Sequence, residues 1–353
     1  MIPVAAPASS PGRHMRADIA EQPVRVREAL VAVGRQSDAL AAVLRGASQV
    51  VLLGRGSSRS ASTYAATAFR TLTGLPAFTT SPAHLAWSDS VETLDGTVVI
   101  AVSQSGESTE VVAAAARARD LGGRLVVVTN SPSSTLAGLG GPELTVDFHA
   151  GAEVAVPATK SFTASLACLL GIALAGRPAL LDEATDALPA LMADVLDHTG
   201  ARFDIGDADN LVCAGEGFAE SVGEEGAIKL RETLRRPVAA FETSEFLHGS
   251  INSVDSATTV IVAAADPLGG RLGDQAAVGA RARGARTVSI GASPTSLADC
   301  HVRVPEAPAH WAPFLTVLPL QIAALEAAVG RGVDPDQPAG LSKVTLIADA
   351  ASP

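Results

Sequence analysis

The run Ser103-Gln104-Ser105-Gly106-Glu107-Ser108 concentrates three hydroxyls and an amide around one glycine, between an apolar stretch and a stretch with helical spacing. A loop of that kind, opening a helix, can aim backbone N–H groups and hydroxyls at one anion with the positive end of the helix behind it. A phosphate dianion tolerates neutral donors, so serines suffice without Lys or Arg. Ser57 and Ser58, at an earlier strand exit in GRGSSRS, would converge on the same spot. The nucleotide fingerprints do not fit: GRGSSR is not G-x-G-x-x-G, and no G-K-[ST] follows. Plain helix capping by serine is the competing reading. Lys229 and Glu232, three residues apart in a helical stretch, share one face. They suit either proton-transfer chemistry or an ordinary surface ion pair.

Those residues need elements to hold them. After Met15, apolar positions at Val26, Leu30, Val33, Leu40 and Leu44 predict helix across Asp18 to Leu44. Val50 to Gly54 is a short apolar run of the kind that strands buried on both faces show, and Arg59 to Thr73 reads as helix. Strand at Thr97 to Val102, helix at Val111 to Leu121 and strand at Leu125 to Val128 continue the alternation. That order predicts an α/β fold with a parallel sheet flanked by helices.

The pattern recurs. Gly54 of VLLGRGS and Gly215 of LVCAGEG are 161 residues apart, as are Thr97 of TVVIAV and Thr258 of TTVIVA, while Gly122 and Gly284 differ by 162. Two copies of one domain follow, joined by helix around Leu180 to Phe203. The copies differ at their strand exits: the serine-rich SQSGEST of the first stands against AAADPLGG in the second. Ligands of open α/β sheets bind beyond the carboxyl ends of the strands, so the first copy is the expected ligand-binding one.

Bulk properties agree with this organisation. The 353 residues suggest about two domains. With 47% hydrophobic and 18% charged residues the chain lies outside the disordered regime. Aromatics are scarce, so the core must be aliphatic. A net charge of −11 without a basic block excludes a nucleic-acid partner. Cys168, Cys213 and Cys300 are far apart and predict neither a disulfide framework nor a metal site, which points to a reducing, cytoplasmic setting. His14, His84, His149, His198, His301 and His310 show no metal spacing and read as structural. The most apolar stretch, Phe162 to Gly176, is too short for a bilayer and predicts a core helix, so no membrane span is expected. Residues 1–14 read as a disordered extension, with Met15 beginning the folded protein.

SQSGEST behind an apolar strand, with GRGSS upstream, resembles the sugar isomerase (SIS) domain family. The likeness extends through IAEQPVRVREAL (Ile19 to Leu30), HAGAEVAVPATKSFT (His149 to Thr163), EEGAIKLRET (Glu224 to Thr233), SEFLHGS (Ser244 to Ser250) and DPDQPAGLSKVT (Asp334 to Thr345). These segments are similar, in the same order, to the isomerase half of glutamine:fructose-6-phosphate amidotransferases and to glucosamine-6-phosphate deaminases without a glutaminase part. The resemblance implies two tandem SIS-type domains: 15–180 binding phosphate and 181–353 supplying catalytic residues. It implies phosphate contacts at Ser58, Ser103, Gln104, Ser105 and Ser108, and a sugar site at Ser57, Val156 and Ala158. Glu232 would move a proton between C1 and C2, His248 would open the ring from the neighbouring subunit of a homodimer, and Lys343 would close over the ligand with Lys229 beside the glutamate. No metal and no cofactor is implied.

Ile2 stands where the amidotransferases carry their cysteine nucleophile, and the first domain starts near residue 50, so no glutaminase is expected. Without glutamine as nitrogen source the expected reaction is isomerising deamination of a 6-phosphorylated amino sugar. A fructosamine-6-phosphate deglycase, a ketose/aldose phosphate isomerase and a non-catalytic phosphosugar-binding regulator are the alternatives. Ala158 in place of serine, Ser250 in place of proline, and Arg59 in place of an uncharged aromatic depart from the amidotransferase pattern. Arg59 is expected to add a cation near the phosphate.

Overall fold

The computed structural model describes residues 10–89, 93–198 and 202–343. The chain opens on helices α1 (Arg13–Arg35) and α2 (Ser37–Leu44). The first copy then runs β1 (Gln49–Leu53), α3 (Ser57–Thr73), β2 (Ala77–Thr80), α4 (Pro82–Trp87) and β3 (Thr97–Ser103). It continues through α5 (Thr109–Asp120), β4 (Arg124–Thr129), α6 (Thr135–Gly140) and β5 (Thr145–Asp147). Helices α7 (Lys160–Ala173) and α8 (Pro178–Asp197) lead to the second copy. That copy consists of β6 (Asn210–Gly215), α9 (Glu220–Leu234), β7 (Val238–Glu242), α10 (Thr243–Leu247) and β8 (Thr258–Ala263). It ends with α11 (Pro267–Arg281), β9 (Arg286–Gly291), β10 (Cys300–Arg303) and α12 (Ala312–Gly330).

Each copy builds a five-stranded parallel sheet, ordered β2-β1-β3-β4-β5 and, taken from its far edge, β7-β6-β8-β9-β10. The sequence repeat is therefore a structural one, strand for strand. β3 and β8 are buried at every position because helices cover both faces of each sheet, which is why they read as unbroken apolar runs. One face of each sheet packs into a core common to both copies, and the opposite faces have their own clusters beneath α5 and α11. Tyr64 of α3 sits at the junction, its ring centroid 5.9 Å from those of Phe218 and Phe314, with its hydroxyl donating to the His310 carbonyl at 2.8 Å.

Two expectations change. Residues 1–9 lie outside the described residues, but the fold begins before Met15: α1 starts at Arg13. The Gly12 N–H donates to Asp334, and the His14 and Met15 N–H groups donate to the two Asp336 oxygens at 2.9 and 2.7 Å. These carboxylates take up helix-start donors that would otherwise lack partners. The expected helix over Asp18 to Leu44 is two helices, broken at Gln36. Phe162 to Gly176 falls largely in α7, which is buried throughout as the expected core helix, and α12 is a longer apolar helix. It is long and apolar enough to cross a membrane by length and composition, yet 83% of that window is buried inside the protein, where it packs on α9 and α8.

Candidate active site

The strand exits of the first copy depend on two glycines. A Cβ on Gly54 would lie 2.5 Å from the Ser58 carbonyl oxygen, so only glycine lets the first turn of α3 fold back over the end of β1. Gly106, at φ 67°, leaves no room for a Cβ against the Ser134 hydroxyl. Between these points the donors gather. Ser103 Oγ accepts from the Gly106 N–H at 3.1 Å and Ser105 Oγ from the Glu107 N–H at 3.2 Å, which rounds the turn. Glu107 itself points to α6, accepting from the Thr135 N–H and hydroxyl at 2.9 and 2.8 Å. Ser108 precedes α5 without capping it through its side chain, and Gly56, which has no side chain to cap with, precedes α3. Ser57, Ser58, Ser103, Gln104, Ser105 and Ser108 all line one cavity of about 250 Å³, at the N-termini of these two helices.

The cation beside this cradle is Arg55, not Arg59. Arg55 lines the cavity and is pinned to the Glu110 carboxylate by two 2.7 Å hydrogen bonds. Arg59 is 62% exposed and not among the lining residues, because its place on the first turn of α3 turns it toward the second copy, where it lies 3.8 Å from Glu224.

Glu232 reaches the same cavity from the second copy. It is carried by α9, which packs against α3 and α12. Lys229 is not a surface partner: its side chain is fully buried, and its Nζ donates to Glu232 Oε2 at 2.5 Å and lies 3.5 Å from Glu225 Oε1. Burial pushes the Lys229 ammonium down, but the Glu232 and Glu225 carboxyls outweigh it and hold its pKa above the usual lysine value. Glu225, fully buried, shares a hydrogen bond with Ser57 Oγ at 3.0 Å. Burial pushes its carboxyl up to about 8, with Lys229 and the Ser57 hydrogen bond opposing and Glu232 reinforcing the rise.

Lys343 arrives on the segment following α12. Its Nζ donates to Glu153 Oε2 at 2.5 Å and to the Ala155 carbonyl at 2.7 Å. The Val156 N–H donates to the Asp336 carbonyl, so the same segment is stitched to the 150s loop upstream. Glu153 is buried and saturated: Ser161 Oγ donates at 2.6 Å and the Thr159 N–H at 2.8 Å. Burial alone would raise its pKa, but Lys343 and these donors hold it below the usual glutamate value. Val156, Ala158, Ser161 and Ser165 complete the wall.

The fold thus brings together every sequence-derived candidate except two. Lys229 lies beneath Glu232 rather than on the cavity wall. His248 follows α10, is exposed, and lies outside the cavity within a single chain. Sequence reasoning missed Glu153, Glu225 and Arg55. Glu225 had a signal, being four residues before Lys229 and seven before Glu232 on one helix face. Glu153 had none, since its partner Lys343 is 190 positions away.

Comparison with known proteins agrees with this architecture. The SIS domain family matches residues 43–175 and 204–331. A glutamine–fructose-6-phosphate aminotransferase (isomerizing) of Pyrobaculum aerophilum is 30% identical over 326 residues, 88% of this chain and 54% of that protein. The chain thus spans about half the length of that relative. A phosphosugar isomerase candidate from Silicibacter pomeroyi superposes with a TM-score of 0.76 at 30% identity, covering 92% of this chain and 99% of that one. A glucosamine-6-phosphate deaminase from Thermotoga maritima shares the fold with a TM-score of 0.73 at 22% identity, over 95% of this chain and 100% of that one. The chain belongs to the SIS domain family and carries two SIS segments in tandem.

Proposed function

We propose that the chain is a phosphosugar isomerase that deaminates a 6-phosphorylated amino sugar, taking glucosamine 6-phosphate and water to fructose 6-phosphate and ammonia. The observation that carries this reading is one cavity lined both by the serine cradle and by Glu232 and Lys343. The phosphate sits among Ser58, Ser103, Gln104, Ser105 and Ser108, with Ser57 at its edge toward the sugar, held by hydroxyls and two helix N-termini. The carbonyl end of the open-chain sugar then lies toward Glu232. The Glu232 carboxylate takes the proton from C2 and returns it to C1, converting the amino aldehyde to a ketimine that water hydrolyses with loss of ammonia. Lys229 fixes the carboxylate by holding one of its oxygens. Lys343 closes the cavity over the carbonyl end.

Ring opening falls to His248, delivered from a second copy in a homodimer, since within one chain it lies outside the cavity. Burial pushes the Cys168 and Cys213 thiols up, Cys213 to about 12, which leaves these two protonated and poor nucleophiles. Three unpaired cysteines suit a reducing, cytoplasmic setting. The name of the Thermotoga maritima protein supports deamination, and that of the Pyrobaculum aerophilum relative supports isomerisation.

The test is ammonia release from glucosamine, galactosamine and fructosamine 6-phosphates. Release from the first is expected. Release from fructosamine 6-phosphate alone would make the enzyme a deglycase, and ketose–aldose exchange without ammonia a simple isomerase. Tight binding with no turnover of any substrate would make it a regulator. In the same assay, inactive His248→Ala and Glu232→Gln proteins, mixed under subunit exchange, should recover up to about a quarter of wild-type activity, because heterodimers then hold one intact site.

A further inference from the structure

The cavity has two functions to coordinate, gripping the phosphate and holding the base, and one buried side chain touches the machinery of both. Glu225 Oε1 is 3.0 Å from Ser57 Oγ and 3.5 Å from Lys229 Nζ, and Lys229 Nζ is 2.5 Å from Glu232 Oε2. Ser57 and Glu232 both line the cavity, so the chain Ser57–Glu225–Lys229–Glu232 joins its two ends behind the wall. The second oxygen of Glu225, Oε2, is buried without a hydrogen-bond partner among the described residues. An ionised carboxylate could not leave that oxygen unpaired without large cost, whereas the carbonyl oxygen of a neutral acid tolerates it.

We propose that Glu225 is a positioning residue that works in its protonated form, donating to Ser57 Oγ so that the Ser57 hydroxyl proton turns toward the ligand phosphate, and leaving Lys229 to pair with Glu232 alone. A hydroxyl has one proton to give. When Glu225 is ionised it takes that proton from Ser57, and a lone pair faces the phosphate instead. Ionised Glu225 also competes with Glu232 for one ammonium. The groups facing Glu225 are Ser57 from α3 and Lys229 and Glu232 from α9, with Glu153 acting on Lys229 from the 150s loop and Lys343 behind it. This rests on the phosphosugar reading above.

The experiment measures the dissociation constant of fructose 6-phosphate, which has no amine of its own to titrate, by calorimetry from pH 7 to 9.5. Its phosphate is already a dianion over that range, because its second ionisation falls near 6. Wild type is expected to weaken at least fivefold between those limits, and E225Q less than about twofold relative to its own value at pH 7, because the glutamine amide donates to Ser57 at every pH. A flat wild-type profile, or an E225Q profile as steep as wild type, overturns the proposal. Absence of binding at every pH would instead overturn the phosphosugar reading.

Urea unfolding supplies a readout independent of binding. A folded-state value raised from 4.5 to about 8 means that the native protein holds the proton longer than the unfolded chain. Glu225 therefore makes stability fall as pH rises through that window. E225Q should lose that component of the slope, and an unchanged slope counts against a protonated Glu225.

Discussion

The two copies share strand order and repeat spacing, and they part at the residue just before equivalent helices. In the first copy, α5 follows β3 and opens on Ser108, whose side chain makes no cap hydrogen bond. In the second, α11 follows β8 and opens on Asp266, whose carboxylate accepts from the Gly269 N–H at 2.8 Å. The β1 and β6 exits differ the same way. Gly56, Ser57 and Ser58 follow β1, whereas Glu216 follows β6 and accepts from the Ser244 N–H at 3.0 Å. Burial and the nearby Glu216 carboxyl push Glu242 up. A phosphate and a carboxylate compete for the same donors, so the second copy already contains its anions. What it contributes instead is α9, the counterpart of α3, packed against α3 with Glu232 facing the first copy's cavity. Under the proposed function, one copy holds the ligand and the other supplies the base.

The widest break in that division would come from the base. Glu232→Gln should lower turnover by about 10² to 10⁴-fold and leave fructose 6-phosphate affinity within about threefold, as expected for loss of a proton-transfer group. Steady-state kinetics and calorimetry read the two separately. Comparable losses in both would assign Glu232 to binding and erase the contrast between the copies.

A carboxylate moved from one copy to the other sharpens it further. Ser108→Asp gives α5 the cap that α11 has. Phosphosugar affinity should drop about 100-fold, since the new anion takes the first-turn donors and repels the phosphate. The melting temperature should not fall, because an aspartate at this position is a good helix start. Affinity within threefold of wild type would place the phosphate away from α5.

The sheets and the cradle were legible because their signals are local. Period, glycine placement and serine spacing all lie within about ten residues of one another, and the 161-residue repeat exposed the second sheet. What the sequence hid is long-range. Asp334 and Asp336 begin the fold at Arg13 by capping α1 from more than 320 positions away. Glu153 seats Lys343 through a contact that no spacing encodes. The Lys229–Glu232 pair was visible, but its burial was not: an i,i+3 pair has the same pattern on a surface and under a cavity wall. Arg55 and Arg59 show the same limit at short range, since strand-exit geometry rather than composition decides which of them faces the serines.

The smallest expected effect isolates the cap from the ligand. Asp266→Ala removes the carboxylate that accepts from the Gly269 N–H and leaves the rest of α11 unchanged. Loss of such a cap costs about 0.5 to 2 kcal/mol, which for a chain of this size lowers the melting temperature by roughly 2 °C. Turnover and phosphosugar affinity should stay within experimental error, because Asp266 lies outside the cavity lined by the serine cradle and Glu232. Thermal melts with and without fructose 6-phosphate separate the two effects: the ligand-induced shift should equal that of wild type while both curves move down together. A diminished ligand shift would mean that the second copy's strand exits feel the ligand after all, and that the carboxylate at Asp266 does more than replace an anion.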